Sequence, residues 1–195
     1  QCWTNWLCLS KLARTEAQTG PFGLETQPMS VEQDIAKIIE QEKTLRFEGF
    51  SEEAARQLGT TLRSLAEKRK LTLVIDIRMG NQPLFYTALA GTTPENPDWV
   101  RRKVNTVMRF HASSYRIGLQ YAQSGKAFDQ SRGLNVFDFA NAGGGFPLHV
   151  KSAGVIGAIT VSGAPQRQDH EFVVEGICNH LGLNYAAIAL GPEQA

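Results

Sequence analysis

Apolar positions along the chain change period several times, and each change marks an element. Behind Ser30, which forms a capping-box signature with Gln33, residues Val31, Ile35, Ile38, Ile39 and Leu45 recur at helical spacing, predicting a helix over 30–47. Gly49 ends it, and Ser51-Glu52-Glu53 opens a second helix with Ala54, Ala55, Leu58, Leu62, Leu65 and Ala66 on its apolar face. Its acidic first turn and its Lys68-Arg69-Lys70 end suit the helix dipole. Over 71–79 the period falls to two. Leu71, Leu73, Ile75, Ile77 and Met79 form one face and Thr72, Val74, Asp76 and Arg78 the other, which predicts a strand with a single apolar face. After the Gly80-Asn81 turn, 84–89 reads as the returning strand of a hairpin, and 91–97 as a loop.

The longest predicted helix covers 98–123, with Val100, Val104, Val107, His111, Ser114 and Gly118 in one stripe and Arg102, Arg109 and Arg116 in the opposite one. Residues 126–142 are mixed, with a short helix or strand predicted over 134–139. Gly143-Gly144-Gly145-Phe146-Pro147 reads as a loop, 148–151 and 155–161 as a second hairpin, and Asp169 as the N-cap of a final helix stopped by Gly182. Hairpins rather than crossovers connect the strands, so the expected fold is α/β of the α+β kind: an antiparallel sheet flanked by helices.

Length and composition then narrow the class. At 195 residues, 42% hydrophobic and 20% charged, the chain suits one globular domain. Residues 1–28 carry Trp3, Trp6, Leu7 and Leu9 in a run too broken for a membrane span or a secretory signal. They read as an extension, either disordered or non-native, with Met29 as the start of a single domain over 29–195. A formal net charge of +1 argues against a nucleic-acid or anionic-membrane partner. Cys2, Cys8 and Cys178 form no disulfide framework and no CxxC pair, so a reducing, cytoplasmic setting is expected.

Three stretches carry a family resemblance: Gly143-Gly144-Gly145-Phe146-Pro147-Leu148, the run from Gly154-Val155-Ile156-Gly157 to Ser162-Gly163-Ala164, and Asp169-His170-Glu171. Together they resemble the haem-degrading family that includes the HbpS and GlcG proteins. Trp99, Arg101-Arg102-Lys103 and Phe110-His111-Ala112-Ser113-Ser114 resemble a smaller, cytoplasmic branch of it, and the likeness spans about residues 30–182. The resemblance implies a profilin-like fold, a homo-oligomer, and haem binding or iron release. A fungal member of the nearer branch is associated with delivery of tail-anchored membrane proteins, which implies instead an oligomeric adaptor or chaperone-pathway partner.

Against that background the candidate chemistry is limited. Axial haem ligation needs a His, Cys, Met or Tyr in an apolar pocket. His111 lies on the predicted buried stripe beside Ser114 and Gly118, and is either a pocket-wall ligand or a core histidine bonded to a carbonyl. His149 alternates with Leu148 and Val150 and is the second candidate ligand. His170, following Asp169, is either an exposed residue of the helix start or part of an anion site there. The arginine stripe is either a solvated face or a clamp for propionate or carboxylate groups.

The glycine run lacks the Lys-Ser/Thr of a phosphate loop and reads instead as a place of close backbone approach. Cys178 and His180 are too close in sequence to converge on a metal, and no HxxxH spacing occurs. The candidate ligand set is therefore Arg102, Lys103, Arg109, His111 and Ser114 from the long helix. The glycine loop and following strand add Gly144, Gly145, Phe146 and His149, and the last helix adds Asp169 and His170. The leading expectation is a small-ligand protein binding haem or a related anionic cofactor between the long helix and the second hairpin. The alternatives are the adaptor and an enzyme acting on a small organic acid.

Overall fold

The computed structural model describes residues 29–191, so the expectation about residues 1–28 lies outside the described residues. Helix α1 (Val31–Thr44) begins on the predicted capping box: the Ser30 hydroxyl accepts the Gln33 N–H at 3.3 Å, and Gln33 Oε1 accepts the Ser30 N–H at 2.8 Å. It stops before residue 47 because Phe47 joins the sheet. The Phe47 N–H donates to the His149 carbonyl, and its own carbonyl accepts the Lys151 N–H, both at 2.9 Å. Helix α2 (Glu52–Lys68) starts on Ser51, whose hydroxyl accepts the Ala54 N–H at 3.2 Å.

Strands β1 (Val74–Met79), β2 (Gln82–Ala88), β3 (Gly145–Val150) and β4 (Gly154–Ser162) form one antiparallel sheet in the order β2-β1-β4-β3. One face, with Ile75, Ile77, Ile159, Phe146 and Leu148, packs on α2 and on α5 (Gln166–Leu181) through Leu58, Leu62, Val173 and Ile177. On the other face, Val74 and Ala158 meet Val100, Val104 and Val107 of α3 (Glu95–Phe110). Each fully buried Leu or Ile stabilises the fold by roughly 1.5–3 kcal/mol, well above the 0–1 kcal/mol typical of an exposed ion pair. The two-sided core therefore governs stability. The expected α+β class, an antiparallel sheet flanked by helices, is what the structure shows.

Several details differ from the sequence expectation. β1 is buried on both faces, not one, because α3 covers the Val74 side. Asp76 sits on that covered face, fully buried, with the Arg78 guanidinium forked on its carboxylate at 2.6 and 2.7 Å. The glycine run is not wholly loop, since β3 starts at Gly145. Within 126–142 there is neither α-helix nor strand, and a 3-10 turn stands at Gln130–Arg132. Where the sequence predicts a short helix or strand over 134–139 there is a single turn, in which the Asp138 and Phe139 N–H groups donate to the Asn135 carbonyl.

The predicted helix over 98–123 is two helices, α3 and α4 (Ser114–Ser124). His111 ends α3 in the left-handed region (φ 50°, ψ 37°), and the Ser113 hydroxyl caps α4 by accepting the Arg116 N–H at 3.3 Å. The Ser113 N–H itself donates to Glu42 of α1 at 2.8 Å, so a carboxylate from another helix holds the break. A short α6 (Tyr185–Ile188) follows α5.

Candidate functional site

The helix break decides where the candidate residues go. His111 turns outward and is exposed, so it is not a core histidine. It lines a groove of about 340 Å³ with His149 of β3, Lys43 and Arg46 at the end of α1, and Arg116 of α4, over apolar walls that include Ile39, Pro147 and Val155. Burial, with Arg46 and His111 nearby, pushes the His149 imidazole below its ordinary pKa, so its neutral form is favoured. Glu42 lies beneath. Burial raises its carboxyl, while Arg116 at 3.2 Å and the Ser113 N–H hold its charge in place.

Asp169 and His170 are both buried, which corrects the expectation of an exposed helix start. Helix α5 begins at Gln166 after Pro165, not at Asp169, and no side chain caps it. The Asp169 carboxylate accepts from Lys103 Nζ at 2.9 Å and from the Ala164 N–H at 3.0 Å. Lys103 also donates to the Val161 carbonyl at 2.9 Å. Burial pushes the Lys103 ammonium down and the Asp169 carboxyl up, and each partner's charge opposes the shift of the other. His170 bonds Gln41 through Nε2 at 2.8 Å, leaves Nδ1 without a partner, and packs between the Tyr115 and Phe146 rings.

The remaining candidates hold the scaffold. The Ser114 hydroxyl donates to the Ala142 carbonyl at 2.6 Å and accepts the Gly145 N–H at 3.0 Å, tying α4 to the glycine run. That run needs glycine for close approach: a Cβ on Gly143 would stand 1.9 Å from the Gln166 carbonyl oxygen, and Gly144 adopts φ 112°. Phe146 lies in the core. Arg102 lies over the Trp99 ring at 4.0 Å and pairs with Asp98 at 2.9 Å. Arg109 lies over Phe139 and donates to the Arg132 carbonyl, away from the histidine groove. The arginine stripe therefore does not exist as a unit: the helix break carries Arg116 to Glu42, while Arg102 and Arg109, both on α3, bond different neighbours.

Sequence reasoning missed Lys43, Arg46 and Glu42, which carry no local signal. Ser162, which the sequence offers with Ser113 and Ser114 only as a serine with nothing to activate it, ends β4 as a buried residue. Among the described residues no cluster of three or more His, Cys, Asp or Glu could hold a metal ion, and no helix is long and apolar enough to cross a membrane.

Residues 50–178 match the family described as haem degrading protein, HbpS-like. The chain belongs to that family. This HbpS-like chain is similar to a UPF0303 protein of Acidobacterium capsulatum, 52% identical over 162 residues that cover 83% of this chain and 98% of that protein. Among solved structures it is similar to the Ybr137w protein, with 25% identity and a TM-score of 0.70 over 76% of this chain and 87% of that one. It shares its fold with PduOC, crystallised as a haem complex, at 19% identity and a TM-score of 0.57 over 75% and 99% of the two chains.

Proposed function

We propose that this HbpS-like protein binds haem, or a related planar anionic cofactor, in the groove between α1, α4 and β3. One observation carries the reading: an imidazole favoured in its neutral form, His149, shares an apolar-walled groove with His111 and with the cations Lys43 and Arg46. Neutral imidazole is the ligating form, and Arg and Lys suit propionates. The family and the PduOC–haem complex support the same chemistry. Ligand cavities run about 300–1,000 Å³, so a groove of about 340 Å³ suits a macrocycle held by one edge. In this reading His149 or His111 holds the iron, Lys43 and Arg46 pair with the carboxylates, and Ile39, Pro147 and Val155 exclude water from the ring. Bound there, haem would supply a redox-active iron.

Titrating the protein with hemin is expected to shift the Soret band at micromolar protein, with His149→Ala or His111→Ala changing the spectrum and Arg46→Glu weakening binding about tenfold, as loss of a charge-assisted contact does. The reading fails if no shift appears, or if both histidine variants leave the spectrum unchanged.

A second reading, a self-associating adaptor, draws on the adjacent exposed side chains Val136 (52%) and Phe137 (73%). Size-exclusion chromatography is then expected to give an assembly larger than the 21.5 kDa chain, and Phe137→Ser to shift it toward the monomer. A wild-type monomer would end this reading. The cytoplasmic setting belongs to the same proposal, supported by Cys178, a buried free thiol pushed up to about 11.

A further inference from the structure

A second cleft, of about 290 Å³, opens where the start of α3, the glycine run and the β4–α5 junction meet. It is separate from the histidine groove and shares no lining residue with it. Trp99 forms one wall, and Lys103, Ser162 and Asp169 bring polar groups to it. Ser162 pairs with Val74 in the sheet and so faces α3, on the same side as Lys103. The residue is only 4% exposed and its hydroxyl has no hydrogen-bond partner among the described residues, while its oxygen keeps contact with solvent in the cleft. A hydroxyl held open at the floor of a cleft keeps its donor and its lone pairs for a ligand.

Three further features sit around that hydroxyl. The Lys103 ammonium has three hydrogens and spends two, on Val161 and Asp169, leaving one donor. Helix α5 spans 16 residues and starts at Gln166, on the cleft, with no capping side chain, so its first N–H groups remain open and its dipole favours an anion. The Trp99 ring offers an apolar wall, held in place by Arg102 at 4.0 Å and by the bond from its indole N–H to Glu95 at 3.1 Å.

We propose that this cleft is a binding site for a small monocarboxylate with a flat apolar body, its carboxylate taken by the Ser162 hydroxyl, Lys103 and the open start of α5, and its body laid on Trp99. A single negative charge is specified because Glu95 and Asp169 also line the cleft and repel a dianion. The tight glycines fit this role. Gly143 lets the run press against the first residue of α5, and Gly144 lets it pass beside Lys103 Nζ, where a Cβ would come within 2.8 Å. A side chain at either position would push these walls apart.

Benzoate is the probe, benzamide its neutral counterpart and inorganic phosphate the dianionic one, with binding followed by NMR shifts of the Trp99 indole and the Gly163 and Gln166 amides. Benzoate is expected to shift these signals saturably, with benzamide and phosphate each at least about tenfold weaker. Ser162→Ala, which removes no hydrogen bond of the fold, is expected to weaken benzoate about tenfold. His149→Ala should leave benzoate binding unchanged, which separates this site from the histidine groove. The proposal is overturned by absent shifts at millimolar benzoate, by benzamide or phosphate binding as well as benzoate, by unchanged affinity in Ser162→Ala, or by shifts that cluster at His111 and His149.

Discussion

Asp169→Ala is expected to destabilise the protein by about 3–5 kcal/mol, the usual cost of stranding one partner of a buried ion pair. Lys103 is 3% exposed, and its remaining partner would be a single carbonyl, so its charge would stay uncompensated in a place where burial already disfavours it. The same substitution removes the acceptor of the Ala164 N–H at the β4–α5 junction. For a folded region of this size the loss corresponds to roughly 10 °C in Tm. Replacing both partners, as Lys103→Met with Asp169→Leu, is expected to recover the part of the loss that comes from the stranded charge, because an apolar pair carries no such desolvation cost, while the Ala164 N–H stays without its acceptor. Urea unfolding of the two variants decides it. A loss below about 1 kcal/mol in Asp169→Ala would mean that water reaches Lys103 and that the pair is not buried in solution.

Acidification is expected to weaken the fold through His170. Gln41 donates its amide hydrogens to Glu171 and to the Ile188 carbonyl, so its oxygen is left to accept from His170 Nε2–H, which fixes the neutral tautomer. Full burial, with the Arg167 charge nearby, lowers the pKa of this ring to about 3 from an ordinary 6.5. The folded pKa lies below the unfolded one, so the stabilisation is complete above pH 6.5 and is lost as pH falls toward 3. By pH 5 the loss is about 2 kcal/mol. Burial raises the carboxyls of Asp169, Glu42 and Glu171, which act in the opposite direction, but they are common to the wild type and to His170→Gln and cancel in the comparison. The stability advantage of the wild type over His170→Gln is therefore expected to shrink between pH 7 and pH 5. Parallel curves would show that His170 titrates normally and is not shielded from water.

Much of the fold was legible in short-range pattern. The capping box at Ser30, the cap at Ser51, the alternation along β1 and the stop at Gly182 all use partners within a few residues, and each appears in the structure. The break at His111 had a local signal too, because Ser113 is an N-cap type of residue standing inside an apparently continuous period. What makes the break real is Glu42, which is 71 residues away.

The candidate site was less legible for the same reason. His111 and His149 were named from sequence, but the groove that joins them also needs Lys43 and Arg46 from the end of α1, which only packing brings alongside. Lys103 and Asp169 were each candidates, yet their ion pair spans 66 residues. By itself, the sequence determined α1, α2, the two hairpins and α5, their order, the antiparallel class and the glycine run, because these depend on periodicity, caps and backbone sterics that act over a few residues. Only the tertiary structure decided which helix covers the second sheet face, that His170 is buried and His111 is not, and which charges meet. Those outcomes depend on desolvation and long-range contact, which a linear pattern does not encode.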